Sequence, residues 1–550
     1  MRGNAECQFQ HQHSKLVDTD NNPVPYATVN EVGTNNYVIS DELGFFSLET
    51  EATFFTVSIA SIGYVTKDIE TVNGTLPEVI TLELSSEQLD EIVVTALGIE
   101  REKQSLVSAV TTVKAKQLTE VPLTNMVNSL AGRVAGVQIT NGSSGVGSSS
   151  RIVIRGENSL GGSNQPLFVV DGVPISNEQI TSNLVNDGAL QEVDFGNGGA
   201  DISPDDIASI SILKGAGSAA LYGARAANGV VVITTKRGRK KKGLGISINS
   251  TLTVESLLTL PDYQNEYGGG SNGEYAFQNG IGAGLNDGGI SSYGPRLDQG
   301  QLIAQFDSPS TDINGNPVRA GDVISRTRPD GSFTDITPTP WVSRPDNVRN
   351  FFETGVTYQN NISISTGGEK GSARLSYSNL KNDGIVPNTD LKRNGLAVSI
   401  DQNVHEKLKF KAFVNYINTR SGNRPNLGYG YENPLYGFNW TGRNTNVESL
   451  RNYWQAGQEG IQHYDFNYLW LTNPYLTVYE NTNSFNKNRI LGNASATYDI
   501  TDKLSLSVRA GIDTYDDKRE FRRAVSTNQN PLGTYREDDV RFRELNTDVL

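Results

Sequence analysis

The chain has 550 residues, 36% of them hydrophobic, and a formal net charge of -14. No apolar run approaches the roughly 18–20 residues of a membrane-spanning helix, which excludes a helical membrane protein but not a β-barrel. The acidic charge argues against nucleic-acid binding, and the single cysteine, Cys7, excludes an intrachain disulfide and a cysteine metal cluster.

Residues 1–14 are unassigned and contain no apolar segment typical of a signal peptide. Beyond them, short alternating segments separated by turn residues predict β-strands, among them 26–29, 45–48 and 80–84. No helical period appears in this part of the chain. Residues 15–86 are therefore predicted to form a small β-sandwich.

Residues 87–99 form a segment that is first acidic and then β-branched. Such a segment is predicted to be extended, and it could add to the sheet edge of another protein through main-chain hydrogen bonds. The alternative is that 92–95 is the last strand of the preceding sandwich.

The pattern of residues 100–242 is mixed α/β. Apolar residues at helical spacing predict a helix over 117–131. Glycine- and serine-rich stretches after it predict loops between further apolar segments. Those segments are predicted strands at 151–155, 167–171, 207–213 and 230–235.

From residue 243 onward the apolar residues recur with a period of two. Leu504, Leu506 and Val508 alternate with serine and arginine, and the same alternation recurs around 374–377 and 396–400. In a β-strand this places apolar and polar side chains on opposite faces. One face suits lipid and the other suits a water-filled lumen.

The connections between these strands are predicted to alternate in length. Short turns are expected at 367–371, 405–407 and 501–503. Longer loops are expected at 256–352, 381–393, 421–486 and 515–538. Short turns at one end and long loops at the other are typical of an outer-membrane β-barrel. About eight strands are readable, too few to enclose a domain as large as residues 100–242.

Several motifs occur in order along the chain. LDEIVVTALG stands at 89–98, SLAGRVAGV at 129–137, RIVIRG at 151–156 and FVVDGVP at 168–174, followed by a longer motif over 205–236. The first resembles the TonB box, and the others resemble the plug, of SusC/RagA-type TonB-dependent outer-membrane transporters.

This resemblance covers about residues 15–550 and implies a mainly β protein in several parts. The parts are a carboxypeptidase-regulatory-like β-sandwich at 15–86, a TonB box and linker at 87–99, a mixed α/β plug domain at 100–242 and the first strands of an antiparallel transmembrane β-barrel at 243–550. The complete barrel is expected to have about 22 strands, so a truncated barrel is expected here.

The resemblance also implies which residues carry the function. Binding of the TonB periplasmic domain is expected at Asp90, Glu91, Ile92, Val93, Val94, Thr95 and Ala96. The plug motifs contribute Arg151, Arg155, Gly156, Asp171, Gly172, Lys214, Gly215, Tyr222, Gly223, Arg225, Asn228 and Gly229.

The function that the family implies is active import of a nutrient, a glycan or an oligopeptide, across the outer membrane of a Gram-negative bacterium, with plug movement driven by TonB. Expected partners are TonB, a SusD-like surface lipoprotein and outer-membrane lipid, with the plug and N-terminal domain toward the periplasm. The alternative is a surface receptor or signal transducer that binds ligand without transporting it.

No enzyme activity is expected. The sequence holds no P-loop, no HExxH motif and no Ser-His-Asp grouping beyond chance, so no catalytic residue, metal site or cofactor is predicted. Residues 214–220 match a Gly-x-Gly-x-x-Ala dinucleotide fingerprint, but Thr235 and Lys236 stand where the fingerprint needs an acidic residue. Turns in the plug explain these glycines better.

The charged residues of the plug allow two interpretations. Arg151, Arg155, Asp171, Lys214 and Arg225 could bridge the plug to the barrel wall, since buried charges need partners, or they could face lumen water. The basic run at 236–242 suggests nucleic-acid binding, but in an acidic chain a solvated hinge between plug and barrel is favoured.

All four tryptophans lie in the long predicted loops, together with several tyrosines, among them Tyr431, Tyr436, Tyr453, Tyr464, Tyr468 and Tyr475. Aromatic rings can stack on sugars or grip peptides, which makes the tryptophans candidate substrate-binding residues. The alternative is a hydrophobic cluster within the loops. The candidates are Trp341, Trp440, Trp454 and Trp470.

Overall fold

The structure is a computed structural model. It describes residues 10–550 except 20, 35, 51, 53, 62–63, 72–74, 84–91, 95–99, 103–108, 120–122, 161, 179–190, 216–221, 239–240, 282–286, 288–289, 469, 502 and 529. The chain divides into two compact units, Met1–Val93 with Glu100–Ser105, and Val94–Ile99 with Leu106–Leu550.

The first unit contains a two-sheet sandwich. Its strands are β1 (Gln10–Asp18), β2 (Thr28–Glu31), β3 (Tyr37–Ile39), β4 (Phe45–Thr50), β5 (Thr56–Ala60), β6 (Lys67–Glu70) and β7 (Val79–Leu82). One sheet has the order β4-β1-β7 and the other β3-β2-β5-β6. Leu16, Val29 and Leu48 belong to its fully buried core, because alternate residues of each strand point inward.

The second unit begins with a mixed α/β domain, which we call the plug. Its strands are β10 (Ala109–Lys114), β11 (Val137–Asn141), β12 (Ser150–Ile154), β13 (Leu167–Val170), β14 (Val173–Ile175), β15 (Gln191–Val193), β16 (Ile207–Lys214) and β17 (Val230–Thr235). Earlier in the chain stand the short strands β8 (Ile92–Val94) and β9 (Glu100–Glu102), of which β9 and most of β8 belong to the first unit. The main sheet has the order β10-β16-β17-β13-β14, and β11 pairs with β12.

The helices of the plug are short. They are α1 (Ala115–Thr119), α2 (Gly198–Asp201) and three 3-10 helices, Met126–Leu130, Pro204–Asp206 and Gly223–Ala226. The single helix predicted over 117–131 is therefore wrong. Pro122 disfavours a helical conformation at the residue before it, and Asn125 starts the 3-10 helix by accepting a hydrogen bond from the Val127 amide.

Eight long antiparallel strands form one sheet, which we call the wall. They are β18 (Lys241–Glu255), β23 (Gly355–Gly367), β24 (Gly371–Asp383), β25 (Asp390–His405), β26 (Leu408–Ser421), β28 (Asn483–Thr501), β29 (Leu504–Thr527) and β30 (Asn530–Val549). They pair in chain order, as the alternating pattern predicts. Among the described residues, no helix has both the length and the apolar character needed to cross a membrane.

Two of the predicted loops are instead largely strand. Residues 515–538 belong mostly to β29 and β30, and the medium loop at 381–393 shrinks to 384–389. The loop prediction rests on the many charged side chains in these two segments. In the structure they pair across strands, as Lys518 does with Glu537 at 3.2 Å, and such cross-strand pairs support a sheet.

The two long loops carry small elements of their own. Residues 256–354 contain β19 (Leu302–Ile303), β20 (Pro309–Thr311), β21 (Pro317–Arg319), α3 (Val323–Arg326), β22 (Thr339–Pro340) and the 3-10 helix Arg349–Phe351; residues 422–482 contain β27 (Asn426–Gly428), α4 (Pro434–Asn439), the 3-10 helix Val447–Arg451 and α5 (Pro474–Tyr479). Both loops share one core that includes Phe306, Phe351 and Tyr464.

The two faces of the wall differ as the sequence predicts. Phe413, Ile417 and Leu491 point inward and join the core of the plug. On the outward face, Leu396 and Val414 are exposed. Because side chains alternate along each strand, one face of the wall is bound to the plug and the other is an exposed apolar surface.

Candidate functional site

The interface between plug and wall contains a buried cluster of four charges. Asp201 at the end of α2 accepts contacts from Arg489 at 2.7 Å and from Lys487 at 2.9 Å, both on β28. Arg489 also donates to Asp513 on β29 at 2.8 and 2.9 Å. The side chains of Arg489 and Asp513 are 1% and 0% exposed. The cluster joins one plug helix to two wall strands.

Electrostatic balance explains how four charges can be buried together. Burial alone would raise the pKa of Asp201, but Lys487 and Arg489 outweigh burial and hold that pKa below its usual value. The cluster is neutral overall, with two carboxylates and two cations. Ser176 of the plug completes it, since its carbonyl accepts from Arg489 at 2.8 Å and its amide donates to Asp513 at 2.8 Å.

A second buried ion pair joins another part of the plug to the wall. Asp206, in the 3-10 helix before β16, contacts Arg374 of β24 at 2.9 Å and accepts a hydrogen bond from Ser376. Its neighbour Asp205 accepts from Asn249 of β18 at 2.7 Å. Plug carboxylates and wall donors therefore meet at separate places around the domain.

Two buried wall arginines bind plug carbonyls instead of carboxylates. Arg393 of β25 donates to the carbonyls of Ala200 and Thr124. Arg424, just beyond β26, donates to the carbonyl of Val146 at 2.7 Å and to that of Asp194 at 3.1 Å. Hydrogen bonds from charged donors are stronger than neutral ones, so these contacts add to the attachment of the plug.

The structure places the five charged residues predicted from the plug motifs in different surroundings. Only Arg225 reaches the wall directly, with Glu544 of β30 at 2.6 Å. Arg151 pairs within the plug with Glu157 at 2.5 Å, and Lys214 donates to the Ala135 carbonyl at 2.6 Å. Burial lowers the pKa of Lys214, and nearby Arg155 lowers it further.

Asp171 reaches the wall through a residue of the basic run. Its carboxylate accepts from the Thr235 amide and hydroxyl at 2.9 and 2.6 Å and contacts Arg237 at 3.4 Å. Arg237 in turn contacts Asp401 of β25, also at 3.4 Å. The prediction that the whole run is a solvated hinge is wrong at Arg237, because two carboxylates on opposite sides hold its guanidinium.

The glycines of the plug motifs occupy backbone conformations that require glycine. Gly229 has φ +91°, and a Cβ there would lie 3.0 Å from the Leu213 carbonyl oxygen; Gly156, Gly172, Gly215 and Gly223 also have positive φ.

The remaining motif residues lie within the plug. Asn228 donates to the Ser163 carbonyl at 2.7 Å, and burial raises the pKa of Tyr222 to about 12. Residues 216–220 of the dinucleotide-like motif lie outside the described residues.

The predicted TonB-binding segment is described only over β8, Ile92–Val94, which pairs with β9 in a separate two-stranded sheet. This pairing does not make β8 part of either sandwich sheet. Asp90, Glu91, Thr95 and Ala96 lie outside the described residues, and the role of the segment stays a prediction.

The four loop tryptophans differ in exposure. Trp341 is fully buried, donates to the Pro295 carbonyl at 2.9 Å and packs on Tyr275, which supports the alternative of a cluster within the loops. Trp470 is 44% exposed and Trp454 is half-buried. Trp440 lies beside Tyr436, at a ring distance of 6.1 Å.

Trp440 belongs to an aromatic patch around α4. Tyr436 contacts Tyr429 at a ring distance of 4.6 Å and Tyr431 at 6.0 Å. Tyr429 is 61% exposed, so the patch is open to solvent at one side. Burial raises the pKa of Tyr436 to about 12, which keeps its hydroxyl protonated and able to donate.

The loop 422–482 and the end of β29 bring together a serine, a histidine and an aspartate, a grouping that no pattern in the sequence predicts. The Nδ1 atom of His463 lies 2.8 Å from the Ser526 hydroxyl, and its Nε2 atom lies 3.9 Å from an Asp465 oxygen. The second distance is too long for a hydrogen bond, and the His463 and Asp465 side chains are 4% and 1% exposed. His463 and Asp465 are therefore buried, and Ser526 is half-buried.

Burial of this cluster predicts a pH dependence of loop stability. Burial raises the pKa of Asp465 to about 7 and lowers that of His463 to about 4. Protonated Asp465 contributes to the stability of the folded loops below its ordinary pKa of 3.8, and this contribution is lost as the pH rises through 7. Neutral His463 contributes to the same stability above pH 6.5, and its contribution is lost as the pH falls through 4.

Because the two trends oppose each other between pH 4 and 6.5, the effect of Asp465 should be isolated at pH 8. D465N in the full-length protein should slow limited proteolysis within 422–482 at pH 8 by at least about tenfold, since each pKa unit of the shift is worth about 1.4 kcal/mol. At pH 4, close to the ordinary pKa of an aspartate, the variant and the wild type should differ little. D262N, at an exposed loop position, is the control, and equal effects of both variants would contradict the assignment.

Gly198 allows α2 to approach the wall closely. A Cβ at this position would overlap the Ser176 carbonyl oxygen and lie 2.7 Å from an Arg489 nitrogen. G198A should therefore destabilise the docked plug by about 1–3 kcal/mol, measured as faster proteolysis of the plug. G368A, in an open turn with no atom within 4 Å, should change stability by less than about 0.5 kcal/mol; a G198A protein as resistant as G368A would refute close packing here.

Sequence reasoning missed most of the residues that join plug and wall. Asp201 and Asp513 lie outside the motifs that resemble the family, and Asp206 stands at the start of the 205–236 motif without a predicted role. A signal was nevertheless present, because Arg374 and Arg489 occupy positions on the polar face of alternating strands. An arginine that faces a filled lumen needs a carboxylate or carbonyl partner. These arginines therefore predict ion pairs with aspartates of the plug.

Comparisons with known proteins agree with this architecture. The TonB-dependent Receptor Plug Domain family matches residues 102–230. The chain is 26% identical to the TonB-dependent receptor P26 of Formosa agariphila over 97% of the chain and 46% of that protein. It is 26% identical to the TonB-dependent receptor SusC of Bacteroides thetaiotaomicron over 74% of the chain and 33% of that protein.

Among solved structures, the RagAB peptide importer in its closed-closed state aligns with a TM-score of 0.54 at 22% identity, over 81% of the chain and 45% of that protein. This likeness supports the fold. The chain spans less than half the length of each of these relatives.

The relatives are receptors and transporters rather than enzymes. Their outer-membrane location places the wall in the outer membrane and the plug toward the periplasm. The matched plug, the alternating wall strands and the relatives along almost the whole chain lead to one conclusion: this chain carries a TonB-dependent receptor plug domain and is similar to SusC/RagA-type TonB-dependent outer-membrane transporters.

Proposed function

We propose that the whole protein actively imports a nutrient, a glycan or an oligopeptide, across the outer membrane. The observation that supports this most directly is the buried attachment of the plug to the wall through Asp201, Arg489 and Asp513. A plug held by buried, paired charges closes the lumen at rest. Opening then requires energy, because separated charges would be left without partners.

The energy is proposed to come from TonB, acting on residues 90–96. Extended β-branched residues such as Ile92–Val94 can be captured by main-chain pairing with another protein's sheet edge. This pairing needs no specific side-chain pocket and can transmit a pull along the backbone. The TonB periplasmic domain is the proposed partner at this segment.

Substrate is proposed to bind on the loop side, at the aromatic patch of Tyr429, Tyr431, Tyr436 and Trp440. Rings with one open side can stack on sugar faces or on peptide side chains. The RagAB peptide importer supports an oligopeptide as the substrate class, and a glycan is proposed from the family resemblance. A SusD-like surface lipoprotein is the proposed partner over the same loops.

Uptake measurements test this function. Cells that make the full-length protein are given labelled mixtures of oligosaccharides and of oligopeptides, with and without an agent that dissipates the proton motive force. Import of one class that stops when the force is dissipated is the expected result. Ligand that binds to the cell surface and never enters would instead support a receptor or signal transducer.

A further inference from the structure

The outward side chains of the wall form rows that run across the strands, because each residue lies opposite its registered partner on the next strand. One row is apolar and exposed across six strands. It consists of Ile248, Ile362, Tyr377, Leu396, Tyr416 and Ile490. A second apolar row lies beside it on the short-turn side. Such a band is the part of an outer-membrane barrel that faces acyl chains.

The next row toward the long loops is made of asparagines. Its members are Asn360, Asn379, Asn394, Asn418 and Asn488, one on each of five successive strands. They bond to one another and to the tyrosines beneath, as in Asn379 to Asn394 at 2.9 Å and Tyr416 to Asn488 at 2.8 Å. Polar amides directly above an apolar band mark the level where the lipid headgroups begin.

The row above the asparagines is cationic. Lys381 lies opposite Lys392, Lys392 opposite Arg420, Arg420 opposite Asn486, and Asn486 opposite Lys518. Lys381, Arg420 and Lys518 are exposed, and Lys392 is half-buried, with 42% of its side chain accessible. We call them the cationic row.

Like charges directly opposite each other on neighbouring strands destabilise a sheet. Carboxylates farther from the membrane compensate in part, with Asp383 at 3.3 Å from Lys381 and Asp390 at 3.8 Å from Lys392. Glu520 and Glu537 lie 3.6 and 3.2 Å from Lys518. Arg420, the central cation, has no ion pair among the described residues.

A groove of about 480 Å³ opens at this central position. Lys392, Arg420 and Lys518 line it together with Asn486 and with the carboxylates of Asp390 and Glu520. Asp390 is already engaged by the Gly422 amide at 2.6 Å. The groove therefore offers three cations and an amide directly above the asparagine row and the apolar band.

We propose that the cationic row binds the phosphate of a phosphorylated glycolipid in the outer leaflet. The phosphate would lie among Lys392, Arg420 and Lys518, the sugar would meet the asparagine row and the acyl chains would cover the apolar rows. The continuity of the groove with the apolar band selects a membrane lipid over free phosphate. An anion placed here also relieves the repulsion between the opposed cations.

The test uses the full-length protein in neutral detergent, titrated with bisphosphorylated lipid A and with the same glycolipid after removal of its phosphates. Native mass spectrometry counts the bound lipids. The wild type should retain the phosphorylated lipid and not the dephosphorylated one. The triple variant K392Q/R420Q/K518Q should bind it about a hundredfold more weakly, since each cation near an anionic headgroup contributes about fivefold.

The matched control is K370Q/K407Q/K503Q, which removes three exposed cations from the short-turn end and should bind as the wild type does. Unchanged mobility of the unheated variants on gels shows that they fold. Equal loss in both triple variants, equal binding of the dephosphorylated glycolipid, or displacement of the lipid by inorganic phosphate at similar concentration would overturn the proposal. So would a wild type that retains no lipid.

Discussion

Replacing Arg489 with methionine is expected to detach the plug from the wall and make the closed protein leak. The variant leaves Asp201 with Lys487 and the nearby Arg393 as cations, and it removes the arginine that pairs with buried Asp513. Removing one partner of a buried ionic cluster costs about 3–5 kcal/mol, because the remaining charges lose their compensation. A loss of this size would remove most of the stabilisation that this cluster gives to the docked plug.

Two measurements on the full-length protein check this result. Proteolysis of the plug should accelerate, and large antibiotics that the intact outer membrane excludes should enter cells that make R489M. The control is R541M, which removes an arginine from the same sheet. Arg541 pairs with Asp516 at 3.6 Å where both side chains are 76% exposed, and such surface pairs contribute about 0–1 kcal/mol. Identical behaviour of the two variants would show that the buried cluster does not hold the plug.

Deletion of residues 90–96 from the full-length protein is expected to abolish uptake while leaving membrane insertion and ligand binding intact. The segment precedes the plug, and its described part, Ile92–Val94, pairs with β9 in a sheet separate from the wall and from the main plug sheet. Its removal should therefore break only the connection to the energy source. Uptake of the labelled ligand, surface binding and the amount of protein in the outer membrane are measured side by side.

A single substitution sharpens the same prediction. V93P removes one main-chain donor and resists pairing with a partner strand, so most of the uptake should be lost. V93I keeps the backbone and the β-branched side chain and should transport normally. Full uptake by the deletion protein would exclude this segment as the site where TonB acts.

The strands of the plug and wall could be predicted because their pattern is local. Each of the four plug strands predicted between 151 and 235 matches β12, β13, β16 or β17 to within a residue or two. Alternation of apolar and polar residues fixes both the strand and the face that each side chain takes. Neither property requires knowledge of distant residues.

The attachment of the plug could not be predicted in the same way. Asp201 and Arg489 are separated by almost three hundred residues, and neither stands in a pattern that names the other. Which charged residues pair depends on how the domain sits against the wall. The strands β29 and β30 could not be predicted for the same reason. Their charged residues are typical of loops, and only pairing with charged residues on the neighbouring strand stabilises them in a sheet.

The order of strands in the plug sheet bears on how the domain would respond to tension. β10 is an edge strand, joined to the sheet through β16 alone, and it is the first plug strand after the proposed TonB-binding segment. The ionic anchors at Asp201 and Asp206 lie much later in the chain. A load applied at residues 90–96 would thus reach a single hydrogen-bonded ladder before it reaches any anchor. The plug therefore has a first strand held by one ladder and a later part held by buried ion pairs. A gradual pull can detach β10 while the part anchored at Asp201 and Asp206 stays on the wall.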